Sequence, residues 1–170
     1  MQDPFPILST MEAPHLEFAF ACRLRFTRVQ MVPDVPSGGM RSAVYVDSGE
    51  FEGPRLKGRA VPNSGGDYAL FTPDDTARFD ARYMLEVDDG TLIYMQNRGF
   101  LWGRDPGVMD RLRAWAFSGG EPVPHADYYL RAQPTFETSK GKHDWLTKHV
   151  FIGIGERRPD GNYVRYYALT

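Results

Sequence analysis

The feature that most constrains the fold is a pair of β-rich runs, residues 79–87 and 91–99, joined by Asp88-Asp89-Gly90. Asp-Gly between two alternating runs is the strongest short-range hairpin signal, because the turn needs a positive φ that glycine adopts without steric cost. We therefore predict a β-hairpin here, with further strands added on both of its sides.

The rest of the chain is dominated by short strand-like runs separated by turns. Residues 16–26 are apolar at every second position, which predicts a long half-buried strand that ends before Pro33. Further strands are predicted over 41–47, 51–61, 67–72, 128–137, 150–155 and 163–169, with a turn at 48–50. Turns at roughly 8 to 12 residue spacing are typical of a sandwich or barrel. We predict an all-β fold: an irregular arm over 1–14, then a single antiparallel β-barrel domain over 15–170 with about nine strands.

One amphipathic helix is predicted to be inserted between the strands, over residues 106–117. Asp105-Pro106 suggests an N-cap followed by a proline at the first helical position, and Ser118-Gly119-Gly120 suggests the end. Its apolar stripe needs a β surface to cover, and one open end of the barrel would provide it. Such a helix could act as a lid over a ligand or as a permanent plug.

Composition excludes several functional classes. The 20 basic and 22 acidic residues are mixed along the chain, so we expect no nucleic-acid partner and no membrane surface. One cysteine, Cys22, and an N-terminus without a basic and apolar leader favour a cytoplasmic protein. The four histidines lack ligand spacing and no nucleotide-binding motif occurs, so we expect no metal and no cofactor.

Several short motifs resemble a family of small bacterial and fungal proteins catalogued as a domain of unknown function. They are G-x-R at 39–41, F-x-G-P-x-L-x-G at 51–58, G-D-Y at 66–68, D-A-R-Y at 80–83, D-D-G-x-x-I-Y at 88–94 and R-G at 98–99. The resemblance continues through Tyr129, Arg131, Trp145 and the run 150–156. It implies a calycin-like or allene-oxide-cyclase-like barrel, and it implies no particular reaction.

The two faces of the hairpin depend on the length of its turns. Two-residue loops at 74–75 and 89–90 would pair positions summing to about 149 and 179. The interior would then present Tyr83, Tyr94, Gln96 and Arg98, while Asp67 would face Arg82 as an external charge pair. A one-residue bulge would instead turn Asp67 and Arg82 inward beside Asn97. Both arrangements remain open from the sequence.

Without a metal, nucleotide or nucleophile motif, the available chemistry is proton transfer by a carboxylate, a tyrosine and an arginine. The predicted function is a cofactor-independent isomerase, cyclase or lyase acting on an aromatic or polyketide-like carbonyl compound. The alternatives are a non-catalytic carrier of a small hydrophobic or aromatic ligand, and an interaction module. A homodimer is also predicted. The candidate catalytic residues are Asp67, Arg82, Tyr94 and Arg98, and the candidate ligand-binding residues are Arg41, Tyr83, Gln96, Asn97, Tyr129, Arg131 and Trp145.

Overall fold

Alternating apolar residues produce ten strands in the computed structural model, which describes residues 12–170. Because alternate side chains point to opposite faces, each long strand gives one face to the interior. The strands are β1 Leu16–Val32, β2 Met40–Glu52, β3 Lys57–Ala60, β4 Gly66–Asp67, β5 Leu70–Phe71, β6 Ala77–Val87, β7 Leu92–Gly103, β8 Tyr128–Thr138, β9 Phe151–Arg158 and β10 Gly161–Leu169. The helix α1 spans Val108–Ser118.

Eight of these strands form a closed antiparallel barrel in the order β1-β10-β9-β8-β7-β6-β3-β2, and pairing of β1 with β2 closes it. The short strands β4 and β5 pair with both β2 and β6 beyond the end of β3. Closure removes the unpaired edges that an open sheet would expose. The predicted all-β barrel with one helix is therefore confirmed.

The turn of the central hairpin has three residues, not two. The N–H of Val87 donates to the carbonyl of Thr91 at 2.9 Å, and Gly90, with φ 84°, donates to the Val87 carbonyl at 2.8 Å. This is a three-residue loop that ends in a left-handed residue. The predicted positive φ at Gly90 is confirmed, but the predicted register is wrong by one residue: Tyr83 pairs with Met95.

The turn before β6 shows the same difference. Thr72 donates its N–H to the carbonyl of Thr76 at 2.9 Å, and Asp75 has φ 62°, so this loop also has three residues. Asp67 consequently pairs with Ala81, and the predicted cross-strand pair of Asp67 with Arg82 does not form. These two changes of strand register determine which polar side chains face the interior of the barrel.

Two other predicted details are also corrected. The register of β1 shifts between Phe18 and Phe20, so Leu16 and Phe18 are exposed while Phe20 is buried. This irregularity interrupts the alternation that predicted one apolar face. The turn predicted at 48–50 is absent, since β2 runs through it and pairs Gly49 with Leu24.

The two ends of the barrel are closed differently. The larger buried cluster includes Trp145 and Leu146 from a 3₁₀ turn, Asp144–Lys148. The smaller cluster joins Val108, Met109 and Leu112 of α1 to the strands, so the predicted apolar stripe is confirmed. The other end of the interior is thus covered by α1.

The ends of α1 are defined by glycines. Its N-cap is Gly107, with φ 81°, so the N-cap predicted at Asp105 is wrong. The predicted end is confirmed, because Gly119 adopts φ 68° as the C-cap.

The predicted N-terminal arm falls mostly on residues 1–11, which lie outside the described residues; Glu12 to Pro14 have no regular secondary structure. Within residues 12–170, no helix is both long and apolar enough to span a bilayer.

Candidate functional site

A cavity of about 100 Å³ lies inside the barrel between the two buried clusters. Its wall combines residues of the larger cluster, such as Ala81 and Val164, with Met109 and Leu112 of α1. On the order of seven water-sized spheres would occupy this volume. A concave, mostly apolar cavity with a few polar groups is the usual form of a small-molecule site.

Asp67 is the carboxylate of this cavity. The sheet is interrupted between β4 and β5, and the Asp67 carboxylate Oδ1 accepts a hydrogen bond from the N–H of Asp80 at 3.0 Å. Asp67 lines the cavity, so this carboxylate is available to a molecule bound there. Burial raises the pKa of Asp67 to about 6, although the Asp80 N–H and the charge of Arg157 lower it.

Arg157 supplies positive charge to the same interior. Alternation along β9 places Phe151, Gly153 and Gly155 inside, and Arg157 continues this row. The ladder between β8 and β9 has two residue pairs, so the strands diverge beyond it. There the N–H of Arg157 donates to the hydroxyl of Tyr128 at 2.9 Å. This bond replaces a ladder bond and fixes the backbone that carries the guanidinium.

The guanidinium of Arg157 is held from two sides. Its Nη1 donates to Oδ1 of Asn162 at 3.0 Å, and its carbon lies 5.9 Å from the ring centroids of both Phe26 and Phe117. Burial lowers the pKa of Arg157, which remains protonated as arginines do in proteins. Among the described residues, Asp67 and Arg157 form no ion pair within 4.0 Å. The site therefore holds separated opposite charges, and Arg113 of α1 also contributes to its lining.

Tyr83 and Asn97 line the cavity and form its floor, and they belong to a cluster of buried hydroxyl, amide and thiol groups with Tyr166 and Cys22. Asn97 donates from Nδ2 to the Tyr166 hydroxyl at 3.0 Å. The Tyr83 hydroxyl and the Asn97 Oδ1 are buried and find no hydrogen-bond partner among the residues described. Burial raises the pKa of Cys22 to about 12 and the pKa values of both tyrosines well above 10.0. These groups therefore stay protonated at neutral pH.

Three predicted site residues lie on the outer surface of the barrel, around Asp80. Arg82 donates from Nη2 at 3.0 Å, Gln96 donates from Nε2 at 2.8 Å, and the Arg98 Nε lies 3.5 Å from the carboxylate. Tyr94 shares this outer face, because β7 is turned relative to the predicted register. Arg82, Tyr94, Gln96 and Arg98 thus do not face the cavity, contrary to the predicted interior.

The remaining predicted ligand-binding residues are dispersed. Tyr129 stacks on Trp102 on the exterior, with 5.2 Å between the ring centroids. The Arg131 guanidinium lies 5.0 Å from the Tyr129 ring. Arg41 is exposed, and Trp145 belongs to the larger buried cluster at the end opposite α1. The structure brings Asp67, Tyr83 and Asn97 together, and Arg131 also lines the cavity although its guanidinium lies against the Tyr129 ring. Arg41, Tyr129 and Trp145 lie elsewhere.

The sequence interpretation missed Arg157 and Ser42, which both line the cavity. Arg157 could have been found by extending the inward alternation of β9 from Phe151 through two glycines. No signal marked Ser42, since serine is common in strands and turns alike. Within residues 12–170, no three His, Cys, Asp or Glu side chains are grouped as a metal site would require.

Comparison with known proteins places this barrel in a family. The model of a family described as "Protein of unknown function (DUF3237)" matches residues 14–169. A UPF0311 protein from Rhodopseudomonas palustris (strain TIE-1) is 31% identical over 140 residues, which cover 79% of this chain and 87% of that protein.

Solved structures show the same fold. A protein with unknown function from Clostridium acetobutylicum matches with a TM-score of 0.82 and 26% identity over 95% of this chain and 100% of the other. A β-barrel-like protein from Acinetobacter baumannii AYE matches with a TM-score of 0.78 and 30% identity over 94% and 98%. A barrel from Penicillium herquei, described as an enzyme, matches with a TM-score of 0.67 and 20% identity over 92% and 95%. The chain belongs to the DUF3237 family of proteins of unknown function.

Proposed function

We propose that the barrel cavity binds a small aromatic carbonyl compound and catalyses a cofactor-independent proton transfer, as an isomerase, cyclase or lyase. The observation that carries this proposal is Asp67, a largely desolvated carboxylate that lines a mostly apolar cavity together with Arg157. Separated groups of opposite charge in a mostly apolar cavity are suited to abstract a proton and to stabilise the anion that results.

Asp67 is the base in this scheme. Its free oxygen takes a proton from carbon next to a carbonyl, and the C–H electron pair becomes the enolate. Arg157 donates hydrogen bonds to the enolate oxygen as negative charge develops there. Protonated Asp67 then returns the proton to another position of the same molecule, so no co-reactant is consumed. A pKa of about 6 leaves Asp67 ionised at neutral pH and more basic than an ordinary carboxylate.

The neighbour from Penicillium herquei supports catalysis on this fold, because that protein is described as an enzyme. At 20% identity, this similarity supports a shared barrel fold and does not indicate a shared reaction. The reaction class therefore depends on the residues of the cavity.

Deuterium exchange tests this proposal without knowledge of the natural substrate. Acetophenone is incubated with the protein in D₂O at neutral pH, and loss of its methyl proton signal is followed by NMR. We expect acceleration by the wild type, a rate that rises with pH through about 6, and a loss of about 100-fold in Asp67→Asn. Arg82→Gln and Arg98→Gln are matched controls that change exterior arginines and should retain the rate.

A non-catalytic carrier is the second candidate, because an apolar cavity can bind a ligand without reacting with it. It predicts binding of acetophenone with no acceleration of exchange in the wild type. Equal exchange rates in the wild type and Asp67→Asn, with binding retained, would favour the carrier and remove Asp67 as the base.

A further inference from the structure

Ser42 is a polar residue of the cavity wall that the proton transfer proposed above does not use. The residue is 7% exposed and lies on β2 among apolar residues that line the cavity. The backbone N–H of Ser42 donates to the carbonyl of Ala69 at 2.9 Å, which fixes the backbone of β2 at this point. This hydrogen bond does not involve the side-chain hydroxyl. A ligand that displaced solvent from this hydroxyl without replacing its hydrogen bonds would lose affinity, so a bound molecule should offer the hydroxyl a partner.

The Ser42 hydroxyl is open to the cavity. No hydrogen bond joins its Oγ to any residue of the described chain, and yet it is not among the buried polar atoms that are sealed from solvent. The Tyr83 hydroxyl and Asn97 Oδ1 on the floor are sealed in that way. The accessible surface of Ser42 therefore belongs to the cavity, where a ligand atom can reach it.

The register of β2 fixes where Ser42 stands relative to Asp67. Val44 pairs with Asp67, and Ser42 is the next inward-facing residue along β2. Ser42 and Asp67 are thus diagonal neighbours on the inner face, with side-chain origins roughly 7 to 8 Å apart. That separation suits two oxygen functions placed at opposite ends of one aromatic ring.

We propose that Ser42 is a specificity-determining residue, because it hydrogen-bonds an oxygen substituent on the aromatic ring of the ligand. This substituent lies at the opposite end of the ring from the carbonyl group whose neighbouring carbon is deprotonated by Asp67. The inference rests on the proposed function for the position of that carbonyl. It narrows the ligand class to hydroxylated aryl carbonyl compounds. A hydroxyl substituent fits best, because it can donate to Ser42 and accept from it, as the serine hydroxyl itself can.

A matched pair of ligands isolates this hydrogen bond: 4-hydroxyacetophenone and 4-methylacetophenone, which have similar shape. Dissociation constants are measured by NMR titration at neutral pH for the wild type, Ser42→Ala, Ser42→Thr and the exterior control Arg82→Gln. We expect the wild type and the control to prefer the hydroxyl compound about tenfold. Ser42→Ala should lose that preference, and Ser42→Thr, which retains a hydroxyl, should keep most of it.

The outcomes separate this inference from the proposed function. An unchanged preference in Ser42→Ala, with Asp67-dependent exchange intact, would overturn the role of Ser42 and leave the base in place. A preference that depends on Ser42, without any exchange, would support Ser42 in a carrier. Failure of a folded wild type to bind either ketone at millimolar concentration would overturn both, and the absence of any preference in the wild type would overturn the role of Ser42 alone.

Discussion

Replacing Asp67 by asparagine should stabilise the protein at neutral pH. Asparagine keeps an oxygen that can accept the hydrogen bond from the Asp80 N–H, and it removes the enclosed negative charge. The pKa of Asp67 is about 6 in the folded state against an ordinary value of 3.8. That difference corresponds to about 3 kcal/mol of unfolding free energy lost to ionisation of this carboxyl.

The effect has a definite dependence on pH. Because the folded pKa lies above the unfolded one, the folded protein binds the proton more tightly between pH values of about 4 and 6. Below that window Asp67 is protonated in both states and no penalty exists. As pH rises through the window the wild type loses stability relative to Asp67→Asn, and above it the difference is constant.

Urea unfolding measures this difference at pH 4, 5, 6 and 8. Asp88→Asn is the control, since Asp88 is an exposed aspartate in the turn of the central hairpin. We expect Asp67→Asn to match the wild type at pH 4 and to exceed it by about 3 kcal/mol at pH 8. A difference that does not change with pH, or a less stable variant at pH 8, would refute an enclosed Asp67 carboxylate.

Three further predictions concern the fold and its assembly. Gly90→Val should cost about 1 to 2 kcal/mol more in urea unfolding than Gly90→Asn, because asparagine tolerates positive φ; equal losses would contradict φ 84° at this turn. Tyr83→Phe should keep or raise stability by about 1 kcal/mol, since its hydroxyl lacks a partner, whereas Tyr166→Phe should lower it by removing the acceptor of Asn97. The predicted homodimer would bury exposed apolar residues such as Leu16 and Phe18, and light scattering at the 19.3 kDa monomer mass at high micromolar concentration would count against it.

The fold was largely predictable because strand alternation and turn residues are local signals. The hairpin, the helix stripe and the glycine at the end of α1 all follow from spacing in the sequence. The inner face of β6, with Tyr83 and Leu85, was also placed correctly. The alternation of apolar and polar residues was sufficient to predict the inner face of a strand where one face is clearly apolar.

The candidate site was harder to predict because it depends on register. Asp-Asp and Asp-Gly turns are compatible with loops of two or three residues, and one extra residue exchanges the faces of the next strand. That exchange brought Asn97 inside and left Arg98 outside. The inward position of Arg157 follows the alternation of β9, but its backbone hydrogen bond to Tyr128 depends on the divergence of β9 from β8, which no local pattern reveals.

The central claim is that the barrel interior holds Asp67 as an enclosed carboxylate beside Arg157. A ¹³C NMR titration of the Asp67 carboxyl carbon tests it most directly, with the signal assigned by its loss in Asp67→Asn. The predicted midpoint is about 6, and Arg157→Gln should raise it further because the guanidinium favours the anion. A midpoint near 4, unchanged by Arg157→Gln, would place Asp67 in open solvent and contradict the claim.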